Sequence, residues 1–69
     1  MEKSELDRIT NYLRRLFGNP NIRVMPRHKK EDSAEVYIGE EFVAVLFVDD
    51  EDGDRSYTFQ MAILDTDLD

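Results

Sequence analysis

The feature that most constrains the fold is the run FVAVLFV at residues 42–48, in which every residue is apolar. Its length and its valines and phenylalanines favour a β-strand. A strand with one face in water alternates apolar with polar side chains, and this run does not alternate. We therefore expect a central strand with apolar side chains on both faces of its sheet.

A turn at Asp52-Gly53 is expected to pair this strand with a strand at residues 57–64. Asp-Gly is a strong two-residue hairpin signal, because Gly accepts a positive φ. With opposed residues placed symmetrically about the turn, every pair on one face is apolar, which supports the register. These pairs are Val48–Tyr57, Leu46–Phe59, Ala44–Met61 and Phe42–Ile63. Near the tip, Asp50 is expected to face Arg55 as a weak local ion pair.

Residues 4–17 are predicted to form a helix, with Ser4 as its N-cap and Gly18 at its end. The apolar residues of this segment recur at helical spacing. They are Leu6, Ile9, Leu13, Leu16 and Phe17.

Two further strands are predicted, an edge strand at residues 22–25 and a strand at 35–38, separated by a loop at 27–33. Residues 65–69 form an acidic tail. The chain, at 69 residues, has room for one domain. We expect an α+β fold: one N-terminal helix packed on a four-stranded antiparallel β-meander.

A tight turn at Gly39-Glu40 sets Val36 opposite Val43, and a loop one residue longer would move Val36 and Ile38 to the other face. With the tight turn, the second apolar face holds the interface candidates. These are Val36, Ile38, Val43, Val45 and Phe47. One helix covers one sheet face, so the second face is either shielded by loops and the terminal segment or bound by another chain. The function predicted is a non-enzymatic interaction module that binds a second copy of itself as a homodimer, or else another protein.

The charge is unevenly distributed along the chain, whose net charge is −7. Residues 8–30 contain seven cations and no acid, whereas residues 31–69 contain thirteen acids and one arginine. The alternative function is therefore nucleic-acid or polyanion binding through the basic segment 14–30. Its candidate residues are Arg14, Arg15, Arg23, Arg27, Lys29 and Lys30. The segment 18–33 has no aromatic residue for base stacking, and the acids downstream would repel a polyanion.

The sequence offers little for catalysis, metal binding or a cofactor, and we predict no residues for any of the three. There is no cysteine, and the one histidine, His28, is expected in a solvated loop. The acidic stretch 48–56 fails as an EF-hand, because with Gly53 as sixth residue the first and twelfth ligand positions are Val48 and Phe59. No segment has the length and hydropathy of a membrane span, and a cytoplasmic location is expected.

Three runs carry a resemblance to a known family. They are FGNPNIRV, SAEVYIGEEFVAVLFVDDEDGDRSY and FQMAILDTDLD. Through them nearly the whole chain resembles a family of short, uncharacterised alphaproteobacterial proteins that share a domain of unknown function. The resemblance implies a free-standing bacterial cytoplasmic protein, and it supplies no catalytic residues.

Overall fold

The computed structural model describes residues 1–27, 29–50 and 53–68. One helix, α1 (Lys3–Phe17), precedes four strands, and a short 3-10 turn (Asp65–Asp67) lies near the end. The strands are β1 (Ile22–Arg27), β2 (Lys30–Ile38), β3 (Glu41–Asp49) and β4 (Ser56–Gln60). They form one open antiparallel sheet in the order β1-β2-β3-β4. The predicted α+β fold, a helix and a four-stranded meander, is confirmed.

No helix in the described part of the chain has the length and apolar character needed to cross a membrane.

The helix ends where the sequence predicted and begins one residue earlier. Gly18 has the left-handed φ of 63° that lets a chain turn out of a helix, and its N–H donates to the carbonyl oxygen of Arg14. The residue before the helix is Glu2, which makes no side-chain capping hydrogen bond. Ser4 lies inside the first turn, so the prediction of Ser4 as N-cap is wrong.

The register of the β3–β4 hairpin is the predicted one along its whole paired length, from Asp49 opposite Ser56 to Val45 opposite Gln60. Gly53 has a φ of 77°, as a tight turn requires, while Asp52 lies outside the described residues. The predicted strand at 57–64 is too long, because β4 ends at Gln60.

The β2–β3 hairpin follows the predicted register only next to its turn. Tyr37 pairs with Phe42 and Ile38 with Glu41, but the register then shifts by one, so that Val36 pairs with Ala44. The predicted pairing of Val36 with Val43 is wrong, because a β-bulge adds Val43 as an extra residue in β3. Beyond the bulge, the side chains of β2 that share a face with a given side chain of β3 are shifted by one residue. The bulge therefore changes which side chains of the two strands face the helix.

The strand β2 is also longer than predicted. It begins at Lys30, and Arg27 pairs with Lys30, so only two residues separate β1 from β2 in place of the predicted loop at 27–33. Glu31 and Asp32 are exposed, and polar residues do not prevent a strand where the side chains lie in water.

The core lies between α1 and the sheet face that it covers. Its buried apolar residues are Leu6, Leu13, Ile22, Val24, Ala34, Val36, Ala44 and Leu46. Each of the larger aliphatic side chains contributes about 1.5–3 kcal/mol on full burial. In the predicted helical stripe Leu6 and Leu13 are buried and Ile9 packs half-buried against the core, whereas Leu16 and Phe17 extend beyond this core and are exposed.

Candidate functional site

The lateral position of α1 decides which apolar surfaces remain exposed. Within the described residues, the helix backbone comes close to β1 and to no other strand. The sheet face that the helix covers is therefore left partly open above β3 and β4.

The first candidate surface is the groove between α1 and β4. We call it the helix–β4 groove and define it by its most exposed apolar side chains, whose exposed fractions run from 37% to 58%. These are Tyr12, Leu16, Phe17, Tyr57 and Phe59. The groove has a volume of about 680 Å³, and Ile9, Leu13 and Leu46 line its floor.

Local structure explains how the two walls meet. Phe17 occupies the last helical turn, and its ring lies 5.9 Å from that of Phe59, centroid to centroid. Tyr57 and Phe59 are two residues apart on β4, so both project towards the helix. Sequence reasoning missed this groove. The sequence feature that could have revealed it is the helical apolar stripe, which continues to Leu16 and Phe17 after the residues needed to form one buried row.

A charged cluster closes the end of the groove near the start of α1. The Arg55 guanidinium binds both carboxylate oxygens of Glu5, at 2.6 and 3.1 Å, and both oxygens of Asp50 at 3.0 Å. The Tyr57 hydroxyl also donates to Glu5. The predicted Asp50–Arg55 pair is thus confirmed, and Glu5 is its unpredicted third member.

The same cluster shifts two pKa values. The hydrogen bond from Arg55 lowers the pKa of Glu5 from its ordinary value of 4.5, and the bond from Tyr57 adds to this effect. Glu5 in turn raises the pKa of Arg55. Because Glu5 belongs to α1 while Arg55 belongs to the β3–β4 hairpin, the cluster ties the start of the helix to the hairpin.

The second candidate surface is on the sheet face turned away from α1, which we call the open face. Its apolar patch consists of Phe42 and Phe47, which are exposed, and the half-buried Val45, and Phe47 is 37% exposed. Together with Val43, Ala62 and Leu64 these residues line a smaller groove of about 430 Å³. Val45 is half-buried, and Val43 is half-buried and packs against the core, so the patch is narrower than the sequence predicted.

Polar contacts occupy the rest of the open face. The Arg23 guanidinium lies 5.5 Å from the Tyr37 ring centroid, and Phe42 packs edge-on against the same ring. The Tyr37 hydroxyl donates to Glu35 at 3.0 Å, a bond that raises the pKa of Tyr37. This face is therefore a mixed surface, whereas the helix–β4 groove is apolar between charged ends.

Two predicted interface residues do not lie on the open face. Val36 is 1% exposed and belongs to the core. Ile38 pairs with the buried Ile22, which places it at the margin of the helix-covered face. Both predictions of position are wrong, because the bulge at Val43 reverses the face of β2 relative to β3.

The basic residues do not converge on one patch. Arg14 donates from Nε to the carbonyl oxygen of Ile22 at 2.8 Å, on the helix side. Arg23 donates to the carbonyl oxygen of Gly39 at 2.6 Å, on the open face. Arg15 stacks on Tyr12, and Arg27 donates to the Ser33 hydroxyl.

The remaining two candidates for polyanion binding, Lys29 and Lys30, do not extend the described basic residues into a patch. Lys29 is exposed in the β1–β2 turn, and the side chain of Lys30 lies outside what the structure describes.

The described residues contain no group of three histidine or acidic side chains able to hold a metal ion. His28 lies outside the described residues, as do two acids of the 48–56 stretch, Glu51 and Asp52. The arrangement that is described offers surfaces for contact with a macromolecule.

The fold and these surfaces define a small α+β protein with one helix on an open antiparallel sheet. Residues 5–67 match the family described as Protein of unknown function (DUF3126), and the chain belongs to that family. Neither a curated protein nor a solved structure gives a significant match.

Proposed function

We propose that this protein is a small, non-enzymatic interaction module that forms a homodimer through exposed apolar side chains. The observation that carries the proposal is the helix–β4 groove, because it leaves five large apolar side chains exposed along one helix and one edge strand. Monomers seldom expose an apolar surface of this extent without a binding role.

The size of the surface supports the proposal. At about 200 Å² for a fully exposed large side chain, the five residues of the groove present about 480 Å². A stable interface buries about 800 Å² per partner, which is about one seventh of the 5590 Å² that this chain exposes. The groove therefore supplies about half of a standard interface before any backbone contact is counted.

The open-face patch is the weaker of the two surfaces. It holds three exposed or half-buried apolar residues beside the Arg23–Tyr37–Glu35 contacts, and residues 61–68 partly flank it. Polyanion binding is not favoured either, since Arg14 and Arg23 each donate to a backbone carbonyl and lie on opposite faces of the sheet.

The test is sedimentation equilibrium of the protein over a wide concentration range, with a matched pair of variants. Phe59 in the groove and Phe47 on the open face are both 37% exposed, so Phe59→Asp and Phe47→Asp place the same charge at equal exposure. We expect Phe59→Asp to weaken self-association by about 30-fold or more, as loss of a central interface residue does. Phe47→Asp should change it by less than about threefold.

Leu16→Asp tests the same groove from the helix, at a side chain that is 58% exposed and hence tolerant of the change. We expect it to weaken self-association as well. A wild-type protein that stays monomeric at every concentration would contradict the proposal. Loss of association in Phe47→Asp alone would move the interface to the open face.

We further propose a bacterial cytoplasmic setting. The support is the resemblance of the three runs quoted above and the cysteine-free composition, which suits a reducing compartment.

A further inference from the structure

The edge strand β4 is unusually well suited to pair with another strand. It has β3 on one side, and among the described residues no strand lies on its other side. Its sequence, SYTFQ, contains no proline and no charged residue, and all five residues are exposed. Natural proteins usually protect such an edge with lysine, proline, a bulge or a covering segment, because its free N–H and C=O groups are a template for another chain.

We propose that β4 pairs antiparallel with β4 of a second copy, so that two sheets join into one of eight strands. The inference rests on the proposed self-association and specifies how it occurs. The same edge borders the helix–β4 groove, so that backbone pairing and apolar contact would bury one continuous surface. A two-fold axis makes such an interface isologous, with the same strand contributed by each chain.

The position of the axis follows from the length of the strand. Only an axis through Thr58 pairs all five residues of β4 with all five of its copy. Tyr57 then lies opposite Phe59 of the second copy, on the helix-covered face. Directly opposed aromatic side chains of this kind stabilise antiparallel strands. Pairing of these two five-residue strands would also add backbone contact between the two copies, which the side chains of the groove do not provide.

The charges permit this pairing despite the net charge of −7. No like charges come directly opposite one another within Ser56–Gln60, since the strand is neutral. The helix has Glu5 in its first turn, beside Tyr57, and Arg14 and Arg15 in its last turn, near Phe17. Because the axis reverses the second copy, the end of one groove that holds the Glu5–Arg55–Asp50 cluster, with two carboxylates and one guanidinium, is turned towards the Arg15 end of the other, which favours this orientation.

Disulfide trapping tests both the strand and its register, since the chain contains no native cysteine. In Thr58→Cys the two thiols would lie directly opposite each other, with Cβ atoms about 4.5–5.5 Å apart, at or just above the upper end of the Cβ separations that a disulfide accepts. In a dimer of Ser56→Cys each thiol would instead face Gln60 of the second copy. In a dimer of Gln60→Cys each thiol would face Ser56. We expect Thr58→Cys to cross-link about tenfold faster than either of these alone, under a mild oxidant and at a concentration where the wild type is dimeric.

A mixture of the Ser56→Cys and Gln60→Cys proteins supplies the second readout. We expect a cross-linked heterodimer to form in the mixture at a rate like that of Thr58→Cys. A dimeric wild type combined with slow cross-linking of Thr58→Cys and of the mixture would overturn the β4–β4 pairing while leaving self-association intact. A wild type that is monomeric throughout would overturn both.

Discussion

The two edges of the sheet are closed in different ways. The edge strand β1 has the helix packed beside it, and Arg14 donates to the carbonyl oxygen of Ile22. The Ile22 N–H has a partner in the Asn19 carbonyl, and Pro26 has no N–H to offer. On the opposite edge, β4 contains no charged or proline residue, and no strand in the described part of the chain pairs with its outer side.

The difference shows what the basic segment contributes to this fold. Arg14 and Arg23 are used within the chain to tie the helix and the β2–β3 turn to β1. The apolar residues that the helix leaves uncovered accumulate at the other edge, around Phe59. One edge is therefore closed by the chain itself, and we expect the other to be closed by a second copy.

The largest effect on stability should come from shortening a buried side chain of β1, the closed edge. Ile22 on β1 is 3% exposed, so Ile22→Ala should lower the free energy of unfolding by about 2–5 kcal/mol. That is comparable with the whole stability of a domain of this size. Ile63→Ala removes the same atoms from a side chain that is 66% exposed. Urea denaturation should show little change for it, and equal losses in both variants would contradict the contrast between the closed β1 edge and the exposed segment that follows β4.

A charge on the open edge should act on association and not on folding. Thr58→Lys would place two cations opposite each other across the proposed two-fold axis. We expect it to weaken self-association by about tenfold or more, with the unfolding transition nearly unchanged. Met25→Lys on β1 is the control, since Met25 is also exposed. Sedimentation would refute the choice of edge if Met25→Lys had the larger effect.

The contribution of Arg14 to the stability of the β1 edge can be measured by comparing a variant of Arg14 with the same variant of Arg15. Arg14→Met keeps an apolar stem but leaves the Ile22 carbonyl without its side-chain donor, at a cost of about 1 kcal/mol. Arg15→Met removes only an exposed stacking contact with Tyr12. Thermal or urea denaturation should rank Arg14→Met as the less stable of the two, and the reverse order would show that the β1 edge is closed by other contacts.

The smallest effect concerns the cluster that ties α1 to the hairpin. The folded-state pKa of Glu5 is depressed, so its ion pair adds stability above the unfolded pKa, near 4.5, and loses it as the pH falls through the folded pKa. Relative to Glu5→Gln, the wild type should have a urea midpoint higher by about 0.3 M or less at pH 7. This difference should shrink below pH 4.5, and a constant difference down to pH 2 would contradict the assignment.

The sequence was sufficient for features that depend on local signals. Gly18 ends the helix, and the register that β3 and β4 adopt is the one predicted from the Asp-Gly dipeptide alone. The apolar character of both faces of β3 also followed directly from residues 42–48. These features depend on backbone preferences and on period-two alternation, which a single sequence records.

The rest depended on tertiary structure. The bulge at Val43 has no signal in its own residue type, yet it moves Val36 into the core. The lateral position of α1 is set by packing on β1, so neither the helix–β4 groove nor the Glu5–Arg55 pair could be located from periodicity alone. The strand-like segment 61–64 leaves the sheet despite its composition, and the structure gives no local reason for this.

Amide hydrogen exchange measured at several protein concentrations tests the central claim most directly, since it reports separately on the two edges. We predict that outward-facing amides of Ser56–Gln60 exchange rapidly when the protein is dilute and become protected as the concentration rises, while amides of β1 are unaffected. Exchange in β4 that does not vary with concentration would contradict the claim that a second copy closes this edge.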